Sequence, residues 1–310
     1  VSAESDAPPL WRRVLPFFIA IALLAFVIGR LDFRAFWHSI SGTHYVLFFL
    51  FTTLFNVALV AADAFATAHV YRVSVCPVRY HELLVIRAAS YLPSLLNHHV
   101  GQAWLTYFMS KVYKAPIWRV AGATLLVYVT TFGCVYTLGL LAVVFNHGRV
   151  AWLVPTISII GAGGIGYLGV IALKPRFLRE RQATAPLVEA GIRGHLLAFA
   201  YRLPHVLVLF VGTWVPFSFF GVNIPLTDAL AYIPVVMLVT AIPITPQGVG
   251  TRDVVALQLL AHYAPGSSEQ QAAAIAATTL SWAAALTLVQ ATLSPLFMRS
   301  AQRMLKRAEA

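Results

Sequence analysis

Ile242-Pro-Ile-Thr-Pro-Gln-Gly-Val-Gly-Thr-Arg-Asp253 interrupts an otherwise apolar stretch over residues 229–263. Pro243 and Pro246 each lack a backbone donor and end a helix. Gly248 and Gly250 admit positive φ and close backbone approach. Thr251, Arg252 and Asp253 then open a new helix whose first N–H groups are unpaired and suited to an anion. Each apolar half beside the break has about 13 residues and reaches about 20 Å, short of the roughly 30 Å hydrocarbon core. The pair therefore predicts a re-entrant helical hairpin that enters and leaves on one side. Irregular backbone at that depth is tolerated only where protein or a water-filled cavity surrounds it.

Working outward, the same pattern occurs once more. Residues 80–113 hold two short apolar halves divided by Pro93-Ser-Leu-Leu-Asn-His-His-Val-Gly101. Around the two breaks lie blocks long enough to cross: Val14–Gly29, Tyr45–Ala68, Val120–Phe145, Val150–Leu173, His195–Phe220 and Gln271–Phe297. The expected fold is an all-α integral membrane protein with about six transmembrane helices plus two re-entrant helical hairpins in an inverted-topology repeat. It reads as one transmembrane domain over 1–310. Half one is 14–145 with hairpin 80–113, and half two is 150–297 with hairpin 229–263. Gly/Pro-interrupted segments at matching places in two halves point to a transporter's central site.

Composition agrees. Of 310 residues 59% are hydrophobic and 11% charged, against about 25% charged in soluble domains, and the mean hydropathy is +0.78. A soluble enzyme and a disordered or fibrous chain are excluded. The long unbroken apolar blocks also argue against a transmembrane β-barrel. Lys and Arg total 22 against 11 acids, a net +11. On this topology 17 of the 22 fall on one side, 3 (Arg30, Arg34, Arg149) on the other, and Arg202 and Arg252 within the membrane. Basic residues collect in cytoplasmic loops, so both termini are expected to be cytoplasmic. The excess charge then faces the anionic inner leaflet rather than nucleic acid. Val14–Gly29 follows Arg12 and Arg13 as a signal peptide would, but no small-x-small cleavage site follows, so it reads as a retained span. Cys76, in a loop, and Cys134, in an apolar block, support neither a disulfide framework nor a Cys-rich metal site.

Candidate substrate-binding residues at the second break are Thr245, Gln247, Gly248, Gly250 and Arg252, with Arg252 suited to a lipid phosphate. The bland alternative is that Thr251 and Asp253 cap the helix and Arg252 snorkels. At the first break the candidates are Asn97, His98, His99 and Gln102, with Arg87 one half-helix upstream. Adjacent histidines point about 100° apart on a helix, so His98 and His99 make a poor chelate; no metal and no cofactor is expected. Within the spans Arg202, Asp63 and Asn56 stand out, because intramembrane polar groups are costly and face the bundle interior. Arg202, eight residues into its span, also has the option of reaching the inner interface. Asp63 and Asp253 are candidates for proton coupling. Gly161-Ala-Gly-Gly-Ile-Gly166 matches a dinucleotide fingerprint but lies inside an apolar span, where small residues serve close helix packing instead. No Walker loop, HExxH, GxSxG or paired-carboxylate set is present, so no enzyme activity is expected.

Tyr91-Leu-Pro-Ser…Val-Gly-Gln102, followed by Ile242–Asp253, resembles the flippase-like membrane domain of the lysylphosphatidylglycerol synthase family over nearly the whole chain. The resemblance implies movement of a polar-headed lipid between leaflets of a prokaryotic cytoplasmic membrane. The family's first motif commonly has an acid after the glycine and an arginine three residues on; here Gln102 and Leu105 stand there. Asp253 stands where Glu is frequent. Residues 1–310 hold no aminoacyl-transferase domain, so they are not expected to synthesise a lysyl-lipid themselves. Two other readings are an intramembrane enzyme on a lipid or polyprenyl phosphate with a catalytic histidine, and a non-transporting scaffold of a cell-envelope biosynthetic complex. Membrane lipids are the expected partners, with a homo-oligomer or an envelope-biosynthesis protein as further possibilities.

Overall fold

The computed structural model describes residues 33–95, 98–145, 147–241 and 250–309. These fold as helices: α1 Phe33–Ser41, α2 Tyr45–Ser74, α3 Tyr80–Ser94, α4 His98–Val112, α5 Ile117–Phe145, α6 Val154–Leu173, α7 Ala185–Trp214, α8 Leu226–Ala241, α9 Thr251–Leu260 and α10 Ser268–Glu309. Single helical turns at His147–Val150 and Arg176–Arg179 and short 3-10 segments complete the described elements. Five of the described helical segments are long and apolar enough to cross a membrane. The expected span Val14–Gly29 lies outside the described residues.

Three crossing helices run past the expected limits: α2 continues to Ser74, α5 starts at Ile117, and α10 is 42 residues long, whereas α6 begins at Val154, four residues inside its expected start. Over the span expected at His195–Phe220, the helix Ala185–Trp214 is broken at Gly191 (φ 57°), so its long part begins close to His195 and ends at Trp214, with a 3-10 segment over Val215–Phe220. Hydropathy marks only the apolar part of a helix, and the polar ends continue the backbone ladder into the interface. Buried threonine hydroxyls do not interrupt these helices, because they donate back to the carbonyl four residues earlier. Thr52 Oγ1 does so to Phe48 O at 2.7 Å, and Thr278 Oγ1 to Ala274 O at 2.8 Å.

The two interrupted segments form pairs of short helices. α3 and α4 have 15 residues each, and α8 and α9 have 16 and 10. At 1.5 Å per residue even α8 reaches only about 24 Å. The first break is shorter than its sequence suggests. Pro93 lies inside the last turn of α3, and α4 has already begun at His98, so Gly101 is a helix residue rather than part of the loop. Its role is close approach: a Cβ there would sit 1.7 Å from Ser94 Oγ and 2.8 Å from Ser90 O, both on α3. A glycine is needed for α3 and α4 to touch.

The helices pack in reciprocal pairs. α2 lies against α7; α3 against α10, as α8 against α5; α7 against α5, as α2 against α10. Within the pairs α3 meets α4 as α8 meets α9. Each hairpin thus packs on the last long helix of the other half. α10 is the most enclosed of the long helices and α6 the least. Ala272, Ala273, Ala274, Ala276 and Ala277 bury the start of α10 with little bulk, which lets its neighbours come close. An aromatic cluster of Phe48, Phe51 and Phe55 against Trp282 and Phe219 closes one end of the α2–α10 contact. On α6 the glycine-rich stretch differs from expectation. A Cβ on Gly161 would meet Tyr136 of α5, but one on Gly163, Gly164 or Gly166 would meet nothing among the described residues. Small size there is not explained by packing on a described neighbour.

Candidate functional site

The charge pattern becomes a site where α2, α3 and α7 meet. Asp63, the nineteenth residue of α2, accepts from Arg87 Nε of α3 at Oδ2 and from Arg202 Nη1 of α7 at Oδ1. All three are shut away from solvent and lipid, at 2%, 7% and 1% relative exposure. That settles the alternatives for Arg202, which turns inward and does not reach the interface.

A set of polar neighbours completes the cluster. Thr67 Oγ1, one turn beyond Asp63, donates to Asp63 Oδ1 at 3.3 Å and accepts from Arg202 Nη2 at 3.0 Å. With the Gln102 amide turned so that its oxygen faces the guanidinium, that oxygen accepts from Arg87 Nη1 at 2.7 Å and Nη2 at 2.8 Å. Arg87 Nη1 also meets Ser90 Oγ at 3.4 Å, and the Tyr91 ring lies 5.4 Å from its Cζ. Gly101, by letting α4 close on α3, brings Gln102 to Arg87. The amide accepts without adding a negative charge.

The result is a cluster with two guanidiniums and one carboxylate. Arginine keeps its charge under protein conditions, so the formal balance is one positive charge in excess. Arg202 Nε, buried, has no hydrogen-bond partner among the described residues. A buried charge without its counterpart is costly, and an anion is the chemistry that would relieve it. His205, one turn further along α7, is buried as well. Elsewhere in the interior Gln290 Nε2 reaches Asn56 Oδ1 at 3.5 Å.

The second break supplies a separate pair. Gly250 has φ 85°, where only glycine is unstrained, and it is the N-cap of α9. Its N–H donates to Asp253 Oδ2 at 2.9 Å, so Asp253 caps the helix. Asp253 Oδ1 accepts from Arg252 Nε at 3.4 Å and Nη2 at 3.3 Å, and Arg252 Nη2 also donates to Thr279 O of α10 at 3.3 Å. Capping by Asp253 and its pairing with Arg252 therefore hold together. Thr245, Gln247, Gly248, Pro243 and Pro246 lie outside the described residues, as does Asn97. His98 and His99 open α4.

Sequence reading missed Thr67, Ser90 and Tyr91. Their signal was spacing: Thr67 stands four residues after Asp63, and Ser90 and Tyr91 three and four after Arg87, which is one helical face in each case. Among the described residues no group of three His, Cys, Asp or Glu could hold a metal ion. In the loop after α2, burial pushes the Cys76 thiol up to about 11, with Glu82 adding to the shift. Burial also raises Tyr113, whose hydroxyl donates to Glu82 Oε2 at 2.7 Å.

The family described as the lysylphosphatidylglycerol synthase TM region matches residues 13–306. No curated protein and no solved structure matches the chain.

Proposed function

We propose, because the chain belongs to the lysylphosphatidylglycerol synthase TM-region family, that it is a lipid flippase. The observation that carries this reading is the Asp63–Arg87–Arg202 cluster, a polar centre shut inside an apolar helix bundle. Intramembrane ionisable groups at such places mark substrate pathways. A polar headgroup passes between the two hairpins while its tails stay in lipid, and no covalent step is needed. The hairpins are re-entrant from opposite faces of a prokaryotic cytoplasmic membrane, and both termini are cytoplasmic. The reciprocal helix contacts support an inverted-topology repeat. So does the pairing of Asp63 on α2 with Arg202 on α7, 139 residues apart on long helices that each precede an interrupted segment.

The test is reconstitution of the full chain in liposomes that hold a panel of fluorescent phospholipids, with bleaching of the outer leaflet. Leaflet exchange faster than in protein-free liposomes is the expected result. Exchange at the protein-free rate for every lipid, with the protein folded, would overturn the reading. Arg252→Ala should slow exchange more than Arg30→Ala; equal effects would remove Arg252 from the pathway.

A further inference from the structure

Two hollows lie one helical turn apart on α7. The first is a groove of about 360 Å³ on the seam with α2, lined by Leu54 and Ala58 of α2 and Leu207 and Val211 of α7, among others. Every side chain that lines it is apolar, and Leu54, Leu207 and Val211 are exposed. The second is a pocket of about 430 Å³ lined by Trp214, Val215, Ser218 and Asn223, among others. It lies at the end of α7 opposite the basic loop Lys174–Arg181, and a tryptophan at the end of a crossing helix marks the membrane boundary. Trp214 and Val215 follow Val211 by three and four residues, which puts them on one face. An apolar groove thus runs up to a pocket that carries polar groups.

The pocket is held open by its own backbone. Val222 N donates to Phe217 O at 3.0 Å, and Asn223 N donates to Tyr263 O at 3.3 Å. Trp214 Nε1 donates to Ile224 O at 3.0 Å, so the indole offers carbon surface rather than a donor. Ser218 Oγ donates to Val215 O at 2.8 Å and keeps its capacity to accept. The Asn223 side chain is exposed and makes no hydrogen bond to a described residue. Its amide therefore has an acceptor and two donors to give. Among the described residues that line the pocket none is ionisable, so a charged headgroup would lose hydration there without a counter-ion. A hexosyl ring fits this lining: its hydroxyls both donate and accept, and one face of it is C–H.

We propose that the pocket takes the hexosyl headgroup of an uncharged glycolipid whose acyl chain lies in the groove between α2 and α7. The site goes beyond the lipid-carrier reading and does not depend on it, since a lipid held at the rim of the bundle need not cross. Asn223 sets the preference for a hydroxylated headgroup, and the groove supplies affinity for the chain.

The measurement is lipid retention by the full chain in native mass spectrometry, after purification in lauryldimethylamine oxide, because an alkyl glycoside detergent would itself fill the pocket. The probes are monoglucosyl-dioleoylglycerol, dioleoylglycerol, dioleoylphosphatidylglycerol and free glucose. The glucosyl lipid should be retained about tenfold more than dioleoylglycerol, the worth of one or two hydrogen bonds, and more than the phospholipid. Asn223→Ala should remove most of that preference and leave the unfolding midpoint in place, because the side chain is exposed and holds no described neighbour. Val211→Trp, which fills the groove from its exposed side, should lower retention of both glycerolipids several-fold and keep their ratio. A diazirine on the acyl chain should label residues 51–58 and 207–211, and one on the sugar residues 214–225.

Equal retention of monoglucosyl-dioleoylglycerol and dioleoylglycerol, or a preference that Asn223→Ala leaves intact, would overturn the proposal. So would stronger retention of the phospholipid, or labelling confined to other helices. Displacement of the glucosyl lipid by equimolar free glucose would make this a site for a soluble saccharide and overturn the lipid source. A disulfide between Val211→Cys and a cysteine placed within residues 14–29 would put the chain's own first segment in the groove. A dimer that Val211→Trp separates would put a second copy there. Either result overturns the proposal.

Discussion

The two charged groups built around Asp63 and Asp253 use the same residue types to different ends. Asp253 pairs with its sequence neighbour Arg252 and with the N–H of Gly250, so its contacts are local. They fix where a helix begins. Asp63 draws one arginine from 24 residues away and another from 139, and so joins three helices. Arg252 keeps 17% of its side chain exposed, Arg202 only 1%. The local pair sets local geometry, and only its arginine reaches solvent, since Asp253 is as buried as Asp63. A long-range cluster in an apolar interior makes the whole packing depend on it, because each member left alone would be a buried charge.

The largest expected effect tests that dependence. Asp63→Ala leaves two buried guanidiniums facing each other and should cost about 3–5 kcal/mol of stability, read as a lowered unfolding midpoint in detergent. A loss no greater than that of Asp253→Asn would erase the contrast. Gly101→Val comes next: the added side chain meets Ser94 and Ser90 and should cost about 1–3 kcal/mol by overpacking. Because it also withdraws Gln102 from Arg87, it should affect the cluster as well as the hairpin. Asp253→Asn weakens a cap and one ion pair and should cost about 1 kcal/mol. At the surface, Arg119 Nη2 meets Glu189 Oε2 at 2.6 Å with both side chains part-exposed. Glu189→Gln should therefore change stability by about 0.5 kcal/mol or less. The smallest effect is chemical. Because burial favours the neutral Cys76 thiol, its alkylation by iodoacetamide should be slow at pH 8 and accelerate as pH rises toward about 11. Rapid modification at pH 8 would show a thiolate that the loop does not bury.

Much of the helix inventory was legible because hydropathy and Pro/Gly punctuation are properties of a chain read along its length. The two interrupted segments stood out this way, and so did Asp63 and Arg202 as intramembrane charges, whereas Arg87 counted among the basic residues of one side and is instead buried against Asp63. What the chain could not give was direction around each helix axis. Nothing in the letters says that Asp63 and Arg202 face one another, since their contact is made by helices that neither half specifies alone. Pro93 misled as to boundary, because a proline in a last turn forfeits a bond that the helix end gives up in any case. The glycines of α6 misled differently: small residues permit close packing but do not require a described partner. Thr67 and Ser90 passed unnoticed because hydroxyls in membrane helices so often satisfy themselves, as Thr52 and Thr278 do here.

The length of α10 has a mechanical consequence. Forty-two helical residues make a rod of about 63 Å, roughly twice the hydrocarbon thickness. Part of it must therefore stand in water or headgroups. At that end it carries Arg299, Arg303, Lys306 and Arg307, while Ala301, Phe297 and Met304 still join the cluster that includes Leu83 and Ile86 of α3. Pro295, inside the rod, is a natural point of bending. A tug on the charged tail by lipid or by another protein would thus be levered onto the helix that carries Arg87.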